Sequence, residues 1–287
     1  MEWINAIVQG VLLGGLYALF AAGLSLMFGV MRFVNLAHGD FIVLAAFGAL
    51  LLVEMLGLHP LLTLIAVLPL MAGFGYFGQR FVLNRVVGHD ILPSILVTFG
   101  FSVILQNLML EQFSADTQRL SAGAFDTASF STAGLSIGAV PLLMFGVAVA
   151  VLGGLNWFFA QTNTGRLLRA TSDDGEIIGL MGADRKHLFA IATALASAVV
   201  AIAGILMAVK TNFDPTSGPI RLLFAFEAVI IGGLGSLWGT LAGGIILGVA
   251  QGIGAQIDPG LQILAGHIVF LIILVVRPQG LFPKLRG

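Results

Sequence analysis

Three residues able to carry charge or to hydrogen-bond, Asn35, His38 and Asp40, stand within six positions of one another in VNLAHGDF, between two long apolar runs. Ionisable groups inside an apolar segment are expensive and mark functional positions by default. Asn35, His38 and Asp40 are therefore candidates for shaping a path through the protein. They equally suit a local role, in which His38 and Asp40 cap or pair at a helix break and hold Asn35 and freed backbone groups together. Arg32 is near enough either to neutralise Asp40 or to reach out to lipid headgroups. Glu227 lies one turn inside another apolar run and has two readings of its own. It pairs with Arg221, or it faces a cavity and meets an ammonium group. Gln106, Asn107, Gln251 and His267 are weaker versions of the same question, and hydrogen bonds between packed helices are their ordinary explanation. No H-E-x-x-H, no G-x-S-x-G and no carboxylate cluster occurs, so no catalytic or metal-ligating set is expected.

The elements that must position these groups follow from composition. Of 287 residues, 58% are hydrophobic and 9% charged, against about 25% charged in soluble domains. The mean hydropathy is +1.04. The fold class expected is all-α, a polytopic transmembrane helical bundle. The apolar runs are continuous rather than alternating, which excludes a β-barrel. Spans are expected near 3–28, 38–56, 61–79, 91–110, 139–160, 188–209, 223–237, 239–256 and 261–276. The glycine-rich stretch 223–256 reads as two short spans, or as one broken helix plus a span, so the expected total is eight or nine. No basic region precedes Trp3, and the first run therefore reads as a span and not as a cleaved signal.

Lys and Arg placement sets orientation. Arg80 and Arg85 share one loop, Arg166, Arg169, Arg185 and Lys186 another, and Arg277, Lys284 and Arg286 the C-terminal segment. Alternating spans put all of these on one side, which makes that side and the C-terminus cytoplasmic. Nine spans then leave the N-terminus outside, and eight reverse it. No polar stretch is long enough for a second core, and no G-x-x-x-x-G-K-[ST] phosphate loop occurs. Residues 1–287 read as a single transmembrane domain with a cytoplasmic loop at about 161–187 and an external loop at about 111–138.

The cytoplasmic loop contains the most informative segment, TGRLLRATSDDGEIIGLMGADRKH. Thr171 or Ser172 suits a helix N-cap, with Asp173 and Asp174 in the first turn. Ile177, Ile178, Leu180 and Met181 follow, and Gly182 suits a left-handed C-terminal stop. Such a short apolar helix either rests on headgroups or inserts as a peg into a soluble partner.

The segment RATSDDGEIIGLMGADRKHLFAIATALASAVVAIAGIL resembles the cytoplasmic coupling loop and following span of the branched-chain amino-acid importer permeases of the ABC class. The resemblance rests on Arg169, Ala170, Asp173, Asp174, Gly182, Ala203 and Gly204. VNLAHGDF, FEAVIIGGLGSLWG and RPQGLF resemble three further motifs of that family, in the family's order from residue 34 to residue 282. Trp238 stands where the family often has proline, and Gly175 and Gly179 weaken the coupling helix. The resemblance implies a permease domain paired with a second homologous permease, two cytoplasmic ATPase subunits and a periplasmic or lipid-anchored binding protein. It implies a bacterial or archaeal cytoplasmic membrane, no nucleic-acid partner, and no cofactor in this chain, ATP and Mg being bound by the ATPase subunits. Arg169, Asp173, Asp174, Ile177, Ile178, Leu180, Met181 and Gly182 would then form the ATPase contact. Related permeases for urea, short amides or sugars, and an ATP-independent transporter, are the competing readings.

Gly235, Gly239 and Gly243 recur at i+4, as do Gly244, Gly248 and Gly252. Each series makes a stripe where another helix can approach closely, in this chain or in a second permease. The long, polar external loop suits a docking surface for a binding protein.

Overall fold

The computed structural model describes residues 2–87, 91–132, 135–173 and 183–282. These residues form a helical bundle. Its elements are α1 (Glu2–Met31), α2 (His38–Leu56), α3 (Leu64–Phe81), α4 (Ile91–Phe113), the short α5 (Ala124–Thr127), α6 (Ala139–Gln161), α7 (Asn163–Asp173), α8 (Arg185–Lys210), α9 (Gly218–Gly232), α10 (Leu237–Ile257) and α11 (Gln262–Val276). One antiparallel pair, β1 (Ser129–Thr132) and β2 (Leu135–Gly138), lies in the loop between α4 and α6. Among the described residues, eight helices are long and apolar enough to cross a membrane. α9, with 15 residues, spans roughly 22 Å and falls short of a 30 Å hydrocarbon core.

α1 and α8 are the most enclosed spans, whereas α11 turns nearly all of its side chains outward. A helix apolar on every face is at home in this setting, because lipid and protein neighbours both accept hydrocarbon. The seam between α1 and α10 is made of glycine. A Cβ placed on Gly248 would lie 2.2 Å from the Gly10 carbonyl oxygen, and one on Gly244 would lie 2.5 Å from that of Gly14. Gly252 sits over Ala6 in the same way, so the two helices run antiparallel with backbones in contact. The second stripe packs elsewhere within the chain. Gly239 meets Gly232 and Gly243 meets Ala228, which folds α9 and α10 into a helical hairpin, while Gly235 in the intervening turn meets Gly29. That turn needs glycine, since Gly233 and Gly235 have φ of 105° and 80°. The 223–256 region is thus a short helix turning back against a full-length one.

The C-terminal segment secures this turn. Leu281 and Phe282 donate their N–H groups to the Ile231 and Gly232 carbonyls (2.9 and 3.0 Å), satisfying acceptors that the end of α9 leaves open. The RPQGLF and GGLGS motifs, about 45 residues apart in sequence, therefore meet at one end of the bundle. Glu2 meets Gln256 at the opposite end.

Arg80 near the end of α3 pairs with Asp184 at the start of α8 (2.7 Å). Tyr76 bonds His187 alongside (2.8 Å), and Asn84 donates to the Lys186 carbonyl. The hydrogen bond from Arg80 holds the Asp184 carboxyl below its ordinary value. A depressed carboxylate contributes stability that is complete above the unfolded value near 3.8 and is lost as pH falls through the folded one. Both side chains are a third or more exposed, so the contribution is at most about 1 kcal/mol. Arg80→Ala is expected to lower the melting midpoint slightly at pH 7 in detergent, and the difference from wild type should shrink as pH falls progressively below 3.8.

Candidate functional site

Two of the helices begin inside the bundle. His38, the first residue of α2, bonds through Nε2 to the Phe20 carbonyl of α1 (2.8 Å). Phe20 precedes the end of α1 by eleven residues, so α2 starts roughly 16 Å short of that end. The intervening residues 32–37 run back into the protein without regular structure, after Arg32 breaks α1 with φ of 50°. From the other side, Phe213 packs edge-on against Phe47 in the middle of α2, and the chain then descends to Gly218, where α9 starts. The two N-termini meet there. A Cβ on Gly39 would lie 2.0 Å from the Gly218 oxygen, and one on Gly218 2.0 Å from Asp40 Oδ1.

Asp40 therefore sits in the first turn of α2 and against the first residue of α9, where exposed N–H groups favour negative charge. Gln106 of α4 donates to Asp40 Oδ1 (2.9 Å) and lies 3.1 Å from Ser102 Oγ. Asp40 is 1% exposed, and its Oδ2 has no partner among the described residues. Arg32 does not neutralise it. His38 does not pair with Asp40 either, since it reaches across to α1. Asn35 acts locally: its Oδ1 accepts from the Ala37 N–H (3.0 Å), while its Nδ2 is buried with no partner among the described residues.

Glu227 lies nine residues further along α9, roughly 14 Å from its start. Its partner is His267 of α11, not Arg221, which donates instead to the Asn212 carbonyl (3.2 Å). Tyr17 of α1 donates to Gln251 of α10 (2.5 Å) and packs on Phe224 of α9. Glu227 Oε2 and Gln251 Nε2 are buried and have no partner among the described residues. Asn107, by contrast, bonds its own helix at the Val103 carbonyl. The Glu227–His267 and Tyr17–Gln251 pairs each join two helices with one side chain from each. A second set passed unnoticed in the sequence: Thr193 of α8 donates to Gln79 of α3 (2.9 Å), and Gln79 donates to Asn84. Ser102 was also missed, although its i, i+4 spacing to Gln106 is visible in the sequence.

A profile of the family described as "branched-chain amino acid transport system / permease component" matches residues 6–277. The chain belongs to this family. It is 30% identical to the high-affinity branched-chain amino acid transport system permease protein BraD of Pseudomonas aeruginosa, over 99% of this chain and 96% of that protein. It is 25% identical to the LivH permease protein of Salmonella typhimurium, with the same coverage. Among solved structures, PsaBC from Streptococcus pneumoniae in complex with Fab aligns over 97% of this chain and 96% of that one, with a TM-score of 0.54 at 15% identity. At that identity the likeness concerns the fold.

In this permease the 161–187 loop opens differently from the sequence expectation. Thr171 and Ser172 do not cap a helix start, because they lie in the last turn of α7, which begins at Asn163. Thr171 donates back to the Leu167 carbonyl and Ser172 to the Gly29 carbonyl, which ties the loop to the end of α1. Gly165 explains the earlier start: it packs against the Phe158 and Phe159 backbone, turning the chain directly from α6 into α7. Arg169 is exposed on α7, and Asp173 is its last helical residue. Asp174, Ile177, Ile178, Leu180, Met181 and Gly182 lie outside the described residues.

Proposed function

We propose that this permease forms half of the translocation path of an ATP-driven importer for branched-chain and other hydrophobic amino acids. A second homologous permease supplies the other half. Two ATPase subunits bind ATP and Mg on the cytoplasmic face, and an external binding protein delivers the cargo. The chain itself catalyses no reaction. The end that carries Arg80, Asp184 and the C-terminal segment is the cytoplasmic one, in a bacterial or archaeal inner membrane.

One observation carries the reading: α2 and α9 both begin within the bundle, and their N-termini converge on a buried carboxylate with a free oxygen. Irregular backbone at membrane depth is tolerated where it is enclosed by protein or lines a cavity, and broken helices of this kind recur at transport sites. In this proposal Asp40 and Glu227 offer their open oxygens to the ammonium group of a passing amino acid, and His38 and Asn35 hold the entry segment in place. The apolar wall accepts the side chain. Force arrives through the 161–187 loop, with Asp173, Asp174, Ile177, Ile178, Leu180 and Met181 seated in an ATPase cleft and Arg169 and Gly182 flanking them.

The test is uptake of radiolabelled leucine, urea and ribose by the complex reconstituted in liposomes. Leucine is expected to accumulate only with ATP inside and binding protein outside. Accumulation of ribose or urea in its place would overturn the cargo assignment. Transport by this chain alone, driven by an ion gradient, would end the ATP-driven reading.

A further inference from the structure

A cavity of about 260 Å³ opens beside the end of α1, between α6, α7 and the first turn of α10. Its wall is apolar along Leu26, Val30 and Phe159, with Trp238 half exposed at the mouth. Two features of this wall call for a polar ligand. Ser25 lines the cavity at 1% exposure, and its Oγ has no partner among the described residues. Arg169 of α7, an exposed residue, also lines the cavity.

The start of α10 adds to the positive side. Ser236 caps the helix by accepting from Gly239 N–H (3.1 Å), but the first-turn N–H groups of Leu237 and Trp238 have no intrahelical acceptor and carry the positive end of the helix dipole. A guanidinium, a helix N-terminus and a buried hydroxyl around one cavity suit an acidic group. The apolar wall and the indole suit hydrocarbon at a membrane–water boundary.

We propose that this cavity binds the acidic headgroup of an anionic phospholipid, with the start of its acyl chains over Phe159 and Trp238. The Ser172 bond to the Gly29 carbonyl fastens α7 to the cavity rim, so occupancy bears directly on the loop that follows α7. The site is separate from the Asp40 junction and does not require the cargo reading to hold. Because a free amino acid also carries an acidic group and an aliphatic body, the test must separate the two sources.

Tryptophan quenching does so. Trp3→Phe and Trp157→Phe leave Trp238 as the single tryptophan. This protein is placed in a series of phosphatidylcholine nanodiscs containing increasing fractions of either brominated phosphatidylglycerol or brominated phosphatidylcholine. The phosphatidylglycerol probe is expected to quench Trp238 with about fivefold higher apparent affinity, the equivalent of roughly 1 kcal/mol for one basic side chain near an anionic headgroup. Arg169→Gln should abolish the preference. Arg166→Gln should keep it, because Arg166 bonds Asn163 on its own helix and is not part of the cavity. Equal quenching by both probes in the parent protein, or equal loss in both arginine variants, overturns the proposal. Reversal of quenching by millimolar leucine overturns it as well, by assigning the cavity to the cargo.

Discussion

Gly248→Leu is expected to abolish the folded permease, and Gly146→Ala to leave it intact. A side chain at Gly248 meets not a movable neighbour but the Gly10 carbonyl at 2.2 Å and the Gly14 nitrogen at 2.6 Å. Main chain at that distance yields only if α1 and α10 separate along their whole seam, which also runs through Gly14, Gly244 and Gly252. Overpacking a core by a few methylenes ordinarily costs about 1–3 kcal/mol, and here every contact of the seam is lost together. That loss approaches the 5–15 kcal/mol that stabilises a typical protein. Gly146 has nothing within 4 Å of the added carbon, and alanine there should gain roughly 0.5–1 kcal/mol through helix propensity. Size-exclusion profiles of fluorescently tagged protein from detergent extracts report both outcomes. A monodisperse Gly248→Leu peak at the wild-type position would show that the seam is not as tight as described.

Asp40→Asn is expected to fold and to lose about 90% or more of ATP-driven leucine uptake. The substitution keeps the shape and one acceptor for Gln106, so the α2–α4 contact survives. It removes the charge that the two helix N-termini stabilise, and a hydrogen bond to a charged group is worth about 1.5–3 kcal/mol, or roughly one to two orders of magnitude in rate. Melting midpoint and basal ATPase rate separate this from misfolding, since both should stay near wild type. Wild-type uptake by a stable Asp40→Asn protein would remove Asp40 from the path. A companion experiment addresses the loop: Ile178→Asp with Met181→Asp should cost both ATPase association and uptake, with folding intact. Uptake and binding at wild-type levels would take the transmission role away from 173–181.

The helices were legible because hydrocarbon thickness writes itself into the sequence as uninterrupted apolar length. The glycine stripes were legible from their i+4 spacing. Their partners were not, because Gly244 and Gly248 meet α1 more than 200 residues away, and nothing local encodes that. Glu227 shows the same division. Arg221 is its nearest cation in sequence, yet residues six apart point to different sides of a helix, and the true neighbour, His267, arrives from α11. The capping expectation for Thr171 and Ser172 fails for a local reason. Thr171 and Ser172 are good caps by type, but here their hydroxyls turn back to carbonyls, a competing use open to any serine or threonine.

The seam between α1 and α10 also has a meaning for biogenesis. The ribosome releases α1 first, and the strip of bare backbone that it must cover emerges only with the penultimate helix. Until then Gly10 and Gly14 face lipid or an insertase, and no side chain of their own can shield them. Completion of the bundle is therefore a late, long-range event, and a chain truncated after α9 would carry its earliest helix unmatched to the quality-control proteases.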